Sequence, residues 1–171
     1  CHPGSRRGPC DVRAVHVFLD GMSYQTVRAK HVFIAVWKTP ELSDGPLIVH
    51  DAKRAFAEVG QPVLFISVAP VDSPPPPEEL RKYMGEHVDE MLEYCSELHI
   101  VIEGSGFMNS AKRLAMASIV LVSGRRKRMF VQEGLASLRA VVKPADREAL
   151  TQAIRRGQME GVLKSAAASD G

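Results

Sequence analysis

Two short turns hold most of the residues in this chain whose types suggest ligand binding. One contains Asp72 and Ser73, ahead of a run of prolines, and the other is Glu103-Gly104-Ser105-Gly106, with Asn109 close behind. Two glycines leave backbone N–H groups accessible, and the N-terminus of a following helix favours an anion. The second turn is therefore a candidate site for an anionic small molecule, and Asn109 belongs to the same surface.

The spacing of this second turn departs from the familiar phosphate-binding and nucleophile motifs. Asn109 stands where a Gly-x-Gly-x-x-Gly fingerprint has its third glycine, and the P-loop pattern is also absent. Because Ser105 does not lie in a Gly-x-Ser-x-Gly elbow, nothing supports it as a hydrolase nucleophile. The simpler alternative is a tight turn capped by Ser105, with Glu103 at the end of a strand.

The first turn suggests a phosphorylation switch at Ser73. A phosphate would add a charge of about −1.5 to −2, which would repel an acidic partner or attract arginine. The alternative is ordinary turn chemistry, because Asp and Ser side chains bond to nearby backbone and Ser-Pro begins turns. Asp72 and Glu103 could also form a carboxylate pair for acid–base chemistry if they meet; otherwise they are two independent solvated groups.

The main basic cluster is Arg125-Arg126-Lys127-Arg128, a candidate for binding phosphate or nucleic acid. Trp37 is the sole tryptophan, and no aromatic platform accompanies the cluster. These features favour a solvated turn before an edge strand, where basic side chains discourage edge pairing. Binding to nucleic acid is therefore disfavoured.

Histidines and cysteines do not have the spacing of metal ligands, so we expect neither a metal nor another cofactor. The chain has three cysteines, an odd number that argues against a disulfide framework and favours a reducing cytosol. Cys95 occupies an apolar position near the end of a predicted helix, as a small core residue would. The expected location is the cytoplasm.

Length and composition bound the class of protein. A chain of 171 residues with 45% hydrophobic residues predicts one globular domain. A net charge of +2 is too small to argue for nucleic acid or an anionic membrane, and no apolar run approaches the roughly 18 residues of a membrane span. We expect residues 1–21 to be disordered or an upstream extension, 22–157 to form the domain, and 158–171 to be a flexible tail. A first strand at 15–19 is the competing interpretation.

Hydrophobic patterning predicts strands that alternate with helices after an initial hairpin. Such alternation with short connections predicts an α/β sandwich: a four- to five-stranded mixed, largely parallel sheet with four to five helices. The third helix carries an apolar face that includes Phe107, Met108 and Leu114, and its last turn, 119–122, could instead be strand. The predicted strands are 23–29, 31–38, 63–68, 98–102 and 128–132, and the predicted helices are 47–59, 77–96, 107–122, 135–142 and 144–156.

This order of elements resembles the STAS domain of anti-sigma-factor antagonists and sulfate transporters, in particular its bacterial single-domain, SpoIIAA-like branch. The resemblance covers Ser23 to Arg156. In the antagonists, a phosphorylated serine lies in an Asp-Ser-Ser-Gly context at the start of the second helix. Asp72-Ser73 stands at the corresponding place, although prolines at 74 and 75 replace the second serine and the glycine.

The resemblance implies a non-enzymatic regulatory module that binds a protein partner, such as a kinase-like or GTPase-linked regulator. Its contact surface would carry Asp72, Ser73 and the turn from Gly104 to Gly106, and a homo-oligomer is compatible with it. The alternative function is a small-molecule, nucleotide or lipid-binding α/β domain that uses the Gly104–Gly106 turn. A lipid would need an apolar cavity, which the sequence does not reveal.

Overall fold

A computed structural model describes residues 23–122, 124 and 127–164 of the chain. The segments predicted at 1–21 and 15–19 lie outside these residues, as do residues 165–171. A short 3-10 helix, Pro144–Asp146, connects the last two α-helices. The strands are β1 (Tyr24–Ala29), β2 (Val32–Trp37), β3 (Val63–Ala69), β4 (Cys95–Ile102) and β5 (Met129–Gln132), and the helices are α1 (Asp44–Val59), α2 (Glu78–Tyr94), α3 (Phe107–Val122), α4 (Leu135–Val141) and α5 (Arg147–Met159).

The strands form one mixed sheet in the order β1-β2-β3-β4-β5. β1 and β2 pair as the predicted antiparallel hairpin, and the other neighbours are parallel. The predicted α/β class, with a largely parallel sheet, is confirmed. Each crossover from β2 onward advances to the next strand, so right-handed connections bring α1, α2 and α3 to the same face. The segments after β5 cover the other face.

Each face of the sheet packs against its own hydrophobic core, because successive side chains of a strand point to opposite sides. In β3, Phe65 joins the core beneath α1, α2 and α3. Leu64 and Ile66 join the core that α4 and α5 cover. The nearly continuous apolar run of β3 is thus buried on both faces, as parallel strands in α/β proteins usually are.

Strand β4 begins with an irregularity in its pairing. The register with β3 shifts between Val63 and Leu64, whose partners are Cys95 and Glu97. Helix α2 ends at Tyr94, so Cys95 begins the strand instead of lying in the predicted helix. Its side chain is fully buried, and burial raises the pKa of the thiol to about 12. An uncharged thiol of this kind is a core residue without nucleophilic character.

The structure describes the chain as far as residue 164, beyond the predicted domain end at residue 157. Backbone N–H groups of Val162 and Leu163 donate to the carbonyl oxygen of Gly157, at 2.8 and 3.0 Å. The Leu163 side chain is buried against this glycine, where a Cβ would lie 2.7 Å from Leu163 Cδ1. This return of the chain brings Lys164 to Asp72, at an Nζ–Oδ2 distance of 3.2 Å.

A buried histidine lies on the sheet face that α4 and α5 cover. His99 is 1% exposed, and its ring stacks on Phe130 with centroids 4.9 Å apart. Nε2 lies 3.2 Å from Glu97 Oε2, whereas Nδ1 has no hydrogen-bond partner within the described part of the chain. Burial lowers the pKa of His99, and the Glu97 carboxylate opposes this shift in part. Burial therefore disfavours the charged form of the imidazole.

This burial predicts a loss of stability in mild acid. The unfolded chain takes up the proton near the ordinary histidine pKa of about 6.5, whereas the folded protein resists it. The contribution of His99 is therefore complete above that pH and decreases as the pH falls through and below it. Urea denaturation between pH 7.5 and 5 measures the free energy of unfolding. As the pH falls, this free energy should decrease less in His99→Leu than in wild type. The exposed His50→Leu substitution is the control, and an unchanged slope in His99→Leu would contradict the prediction.

Candidate functional site

The two predicted turns meet at the carboxyl ends of β3 and β4. The N–H of Glu103 donates to the carbonyl oxygen of Ala69 at 2.9 Å, which extends the parallel pairing beyond the strands. Gly104 has a φ of +94°, and a Cβ there would lie 2.5 Å from Val71 Cγ2. Glycine thus serves two purposes, since it adopts the left-handed region and admits the Val71 methyl group.

Side chains from α3 hold both turns in place. Lys112 Nζ donates to the carbonyl oxygen of Ser73 at 3.1 Å. Arg113 Nη1 donates to the carbonyl oxygens of Ile102 and Gly104, at 3.0 and 2.9 Å. These bonds hold the turns in a fixed geometry. They also give Lys112 and Arg113 a structural role that the sequence alone does not indicate.

The glycine turn itself is bonded internally. Asn109 is buried, and its Nδ2 donates to the carbonyl oxygen of Ser105 at 3.3 Å. Gly106 has a φ of +98° and accepts the N–H of Ser110 at 3.0 Å. Asn109, predicted as part of a ligand surface, therefore has a structural role in shaping the turn.

Asp72 and Glu103 lie close enough to influence each other, with Lys164 beside them. The Lys164 ion pair lowers the pKa of Asp72, whose side chain is exposed. Burial raises the pKa of Glu103, and Asp72 adds to the rise while Lys164 opposes it. The sequence anticipated the two carboxyl groups but not the lysine, because Lys164 was assigned to a flexible tail. Environments that separate two carboxyl pKa values are a feature of acid–base pairs.

Ser73, the predicted phosphorylation site, is 5% exposed. Its hydroxyl donates to the carbonyl oxygen of Lys38 at 3.3 Å, with the carbonyl of Pro74 at 3.4 Å. A kinase needs the serine hydroxyl in an accessible, extended segment, so phosphorylation of Ser73 would require this turn to open. In the folded protein the hydroxyl serves the turn chemistry that was the alternative prediction.

Part of the predicted basic cluster has a structural role. Arg125 and Arg126 lie outside the described residues, and Lys127 is exposed. Arg128 Nη2 donates to the carbonyl oxygen of Leu92 at 2.5 Å, and also to that of Cys95. These carbonyls belong to the C-terminal end of α2, where a cation is favourable. Arg128 is thus a cap for α2.

An apolar cavity lies between α2 and the sheet, beside the proline-rich turn. Its volume of about 180 Å³ is close to that of an apolar cavity of about 150 Å³ known to admit benzene. Both cavity walls come from elements that the sequence predicted, but the space between them was not predicted. Residues from β2, β3, β4 and α2 form most of the lining: Trp37, Pro40, Ile48, Phe65, Ser67, Ala69, Ser73, Pro74, Pro76, Leu80, Arg81, Met84, Gly85, Val88, Met91, Leu98, Ile100, Ile102, Met116 and Met129.

The polar atoms in the lining are largely matched within the protein. Trp37 Nε1 donates to Ser67 Oγ at 2.9 Å. The polar groups of this tryptophan and this serine are therefore hydrogen-bonded to each other within the apolar wall. The Ser73 hydroxyl is directed to the Lys38 carbonyl. Methionines on α2, α3 and β5 contribute flexible, polarisable side chains that adapt to irregular ligands. The cavity is therefore suited to an apolar molecule.

Three comparisons bear on the identity of the chain. No family model, curated protein or solved structure matches it. Among residues 23–122 and 127–164, no helix has the length and apolar character needed to cross a membrane. The same residues contain no group of three or more His, Cys, Asp or Glu side chains placed to bind a metal ion. The resemblance to STAS domains stays a prediction.

The packing of the two turns can be tested by comparing the stability of Gly104→Ala with that of Gly106→Ala. Gly106→Ala adds a Cβ with no atom within 4 Å, so it should cost about 1–2 kcal/mol for the left-handed conformation alone. Gly104→Ala carries that cost and also overlaps Val71 and Asn109, which should add about 1–3 kcal/mol. Urea denaturation measures both. Equal destabilisation of the two variants would show that the turns do not pack as described.

Proposed function

We propose that this protein is a non-enzymatic module that binds a small apolar molecule in the cavity beneath α2. The cavity is the observation that carries the proposal, because well-packed cores leave few voids larger than a water molecule. Its lining combines aromatic, aliphatic and methionine side chains with few polar atoms, which is the usual character of a small-molecule site. This function corresponds to the ligand-binding alternative, at a different place from the Gly104–Gly106 turn.

The chemistry of the lining favours binding over catalysis. Arg81 is the one ionisable side chain among the described lining residues, and arginine stays protonated, so it is a poor general base. The hydroxyls of Ser67 and Ser73 take part in hydrogen bonds within the protein. Asp72 and Glu103, the pair with separated pKa values, lie outside the lining. A ligand in the cavity would therefore meet no activated nucleophile or base.

The size of the cavity sets the expected affinity. A chain of about six methylene groups gains roughly 0.8 kcal/mol for each one buried, or about 5 kcal/mol in all. This free energy corresponds to a dissociation constant of about 0.2 mM. Because Trp37 lines the cavity and is the sole tryptophan of the chain, its fluorescence reports directly on occupancy.

Filling the cavity should abolish binding. Ala69 is a small, half-buried lining residue, so Ala69→Leu should occupy the space and reduce affinity for 1-hexanol at least about tenfold, measured by Trp37 fluorescence. Ala29→Leu is the matched control, because Ala29 is also half-buried at a strand end but packs on the opposite face of the sheet. Equal binding by Ala69→Leu and wild type would refute the cavity as the site.

A specific observation favours a second function, binding to a protein partner through the surface near the glycine turn. The side chains of Phe107 and Leu114 are 85% and 73% exposed, and Met108 is also exposed. Their spacing places them on one side of α3. Val71, exposed next to Gly104, adds to the apolar character of the edge that carries Asp72. Large exposed apolar patches commonly mark interaction sites.

Removing this patch should weaken partner binding while the fold persists. The double substitution Phe107→Ser and Leu114→Ser should lose most of the partners recovered in an affinity pull-down from native cells. Met159→Ser is the control, because Met159 is 81% exposed on α5, which covers the opposite face of the sheet. Recovery of the same partners, in the same amounts, by the double variant would argue against this surface. Light scattering of the purified protein measures its molar mass and shows whether the partner is a second copy of the chain.

A further inference from the structure

Among the residues that the structure describes, the cavity has a single charged group at its boundary. Arg81 lies in the first turns of α2, and it is exposed to solvent while it contributes to the lining. Every other lining residue is apolar, a serine or a glycine. A ligand that fills the apolar space therefore has one place where a charge of its own would be matched.

The guanidinium of Arg81 is available for such a ligand. It forms no hydrogen bond or ion pair with any residue in the described part of the chain, although Glu78 lies three positions before it, at a spacing that permits pairing. Other cations of the same region are already in use, since Lys112 and Arg113 donate to backbone carbonyls. Arg81 thus differs from Lys112 and Arg113, because its five N–H donors have no partner among the described residues.

We propose that the ligand is a small apolar carboxylate, with its hydrocarbon part in the cavity and its carboxylate on Arg81. The inference rests on the proposed function, and it specifies the chemical class of the ligand. A planar guanidinium matches a carboxylate through two parallel N–H···O bonds. The N-terminal turns of α2 favour a negative charge as well. A neutral apolar molecule of equal length would fill the same space but would leave Arg81 without a partner.

The preference for the charged ligand should be moderate. Exposed ion pairs contribute up to about 1 kcal/mol, and this corresponds to about a fivefold difference in affinity. The apolar contacts therefore supply most of the affinity, and Arg81 selects among ligands of similar size. A larger difference would indicate that ligand binding removes Arg81 from water.

Heptanoate and 1-hexanol are suitable probes, because they share a hexyl chain and differ in charge at pH 7. Trp37 fluorescence titrations would compare wild type, Arg81→Gln and Lys82→Gln, since Lys82 is exposed on the same helix and lies outside the lining. Wild type and Lys82→Gln should bind heptanoate about fivefold more tightly than 1-hexanol. Arg81→Gln should lose this preference and bind the two with about equal affinity.

The outcomes separate this inference from the function on which it rests. Binding of 1-hexanol with no preference for heptanoate, or a preference that persists in Arg81→Gln, would overturn the role of Arg81 and leave the cavity as a binding site. If neither probe changes Trp37 fluorescence at 10 times the expected dissociation constant, or about 2 mM, the cavity does not bind ligands and both proposals fail. Equal losses of preference in Arg81→Gln and Lys82→Gln would point to a general charge effect and would also overturn the inference.

Discussion

Burial of the central strand on both faces is the constraint on which the rest of the structure depends. β3 pairs with β2 and β4, so its backbone groups are satisfied within the sheet, and its apolar side chains need cover on both sides. The successive right-handed crossovers supply cover on one face only. The chain after β5 must therefore return to cover the other face, which α4 and α5 do. The return also brings Lys164 to the edge where the two turns meet.

The same arrangement explains where space is left. Side chains of β3 that face α2 become smaller along the strand, from Phe65 to Ser67 and Ala69, while the proline-rich turn delays the start of α2 until Glu78. Small residues on the sheet and a helix that begins late leave a gap that the methionines do not fill. On the other face, Ile66 and Val68 keep their bulk, and both are fully buried in that core.

The position of α3 follows from its place at the end of the crossover series. β4 and β5 lie beneath it, and β5 has only four residues. A short edge strand offers little apolar surface to a helix of 16 residues. Val120 is buried there, whereas Phe107, Met108 and Leu114 remain exposed. The exposed apolar face of α3 is therefore a consequence of topology that local sequence cannot indicate.

These features show how far the sequence could be interpreted. The spacing of apolar residues predicted the order and type of the elements and the class of the sheet. This is possible because an element buried on one face has periodic apolar residues, whereas a strand buried on both faces is a continuous apolar run. The meeting of the two turns was also foreseeable, since the carboxyl ends of parallel strands lie at one edge. The sequence alone permits either helix or strand at 119–122, and the structure continues the helix to Val122.

Other features depended on contacts between distant residues. The polar-looking end of the chain contains Leu163, whose burial on Gly157 depends on a contact with another element. Arg128 belonged to a run of basic residues, and nothing in that run distinguished the member that caps α2 from its neighbours. The cavity arises because side chains of the sheet and of α2 do not fill the space between them. Only two weak features of the sequence hint at it: a serine inside the apolar strand β3 and a tryptophan at the end of β2.

The two proposed functions share the proline-rich turn. Pro74 and Pro76 line the cavity, while Ser73, also in the lining, accepts a bond from Lys112 on the helix that carries the exposed patch. A ligand beneath α2 would contact this segment directly, and a partner on α3 would bind the helix that holds the segment through Lys112. Suppose that the segment has two conformations, and that both the cavity ligand and the protein partner bind one of them more tightly. Thermodynamic linkage then requires that each changes the affinity of the other by the same factor. A segment with several prolines has few conformations available, so any coupling would come from displacement of the turn as a unit, with the Lys112 bond as the contact that transmits it.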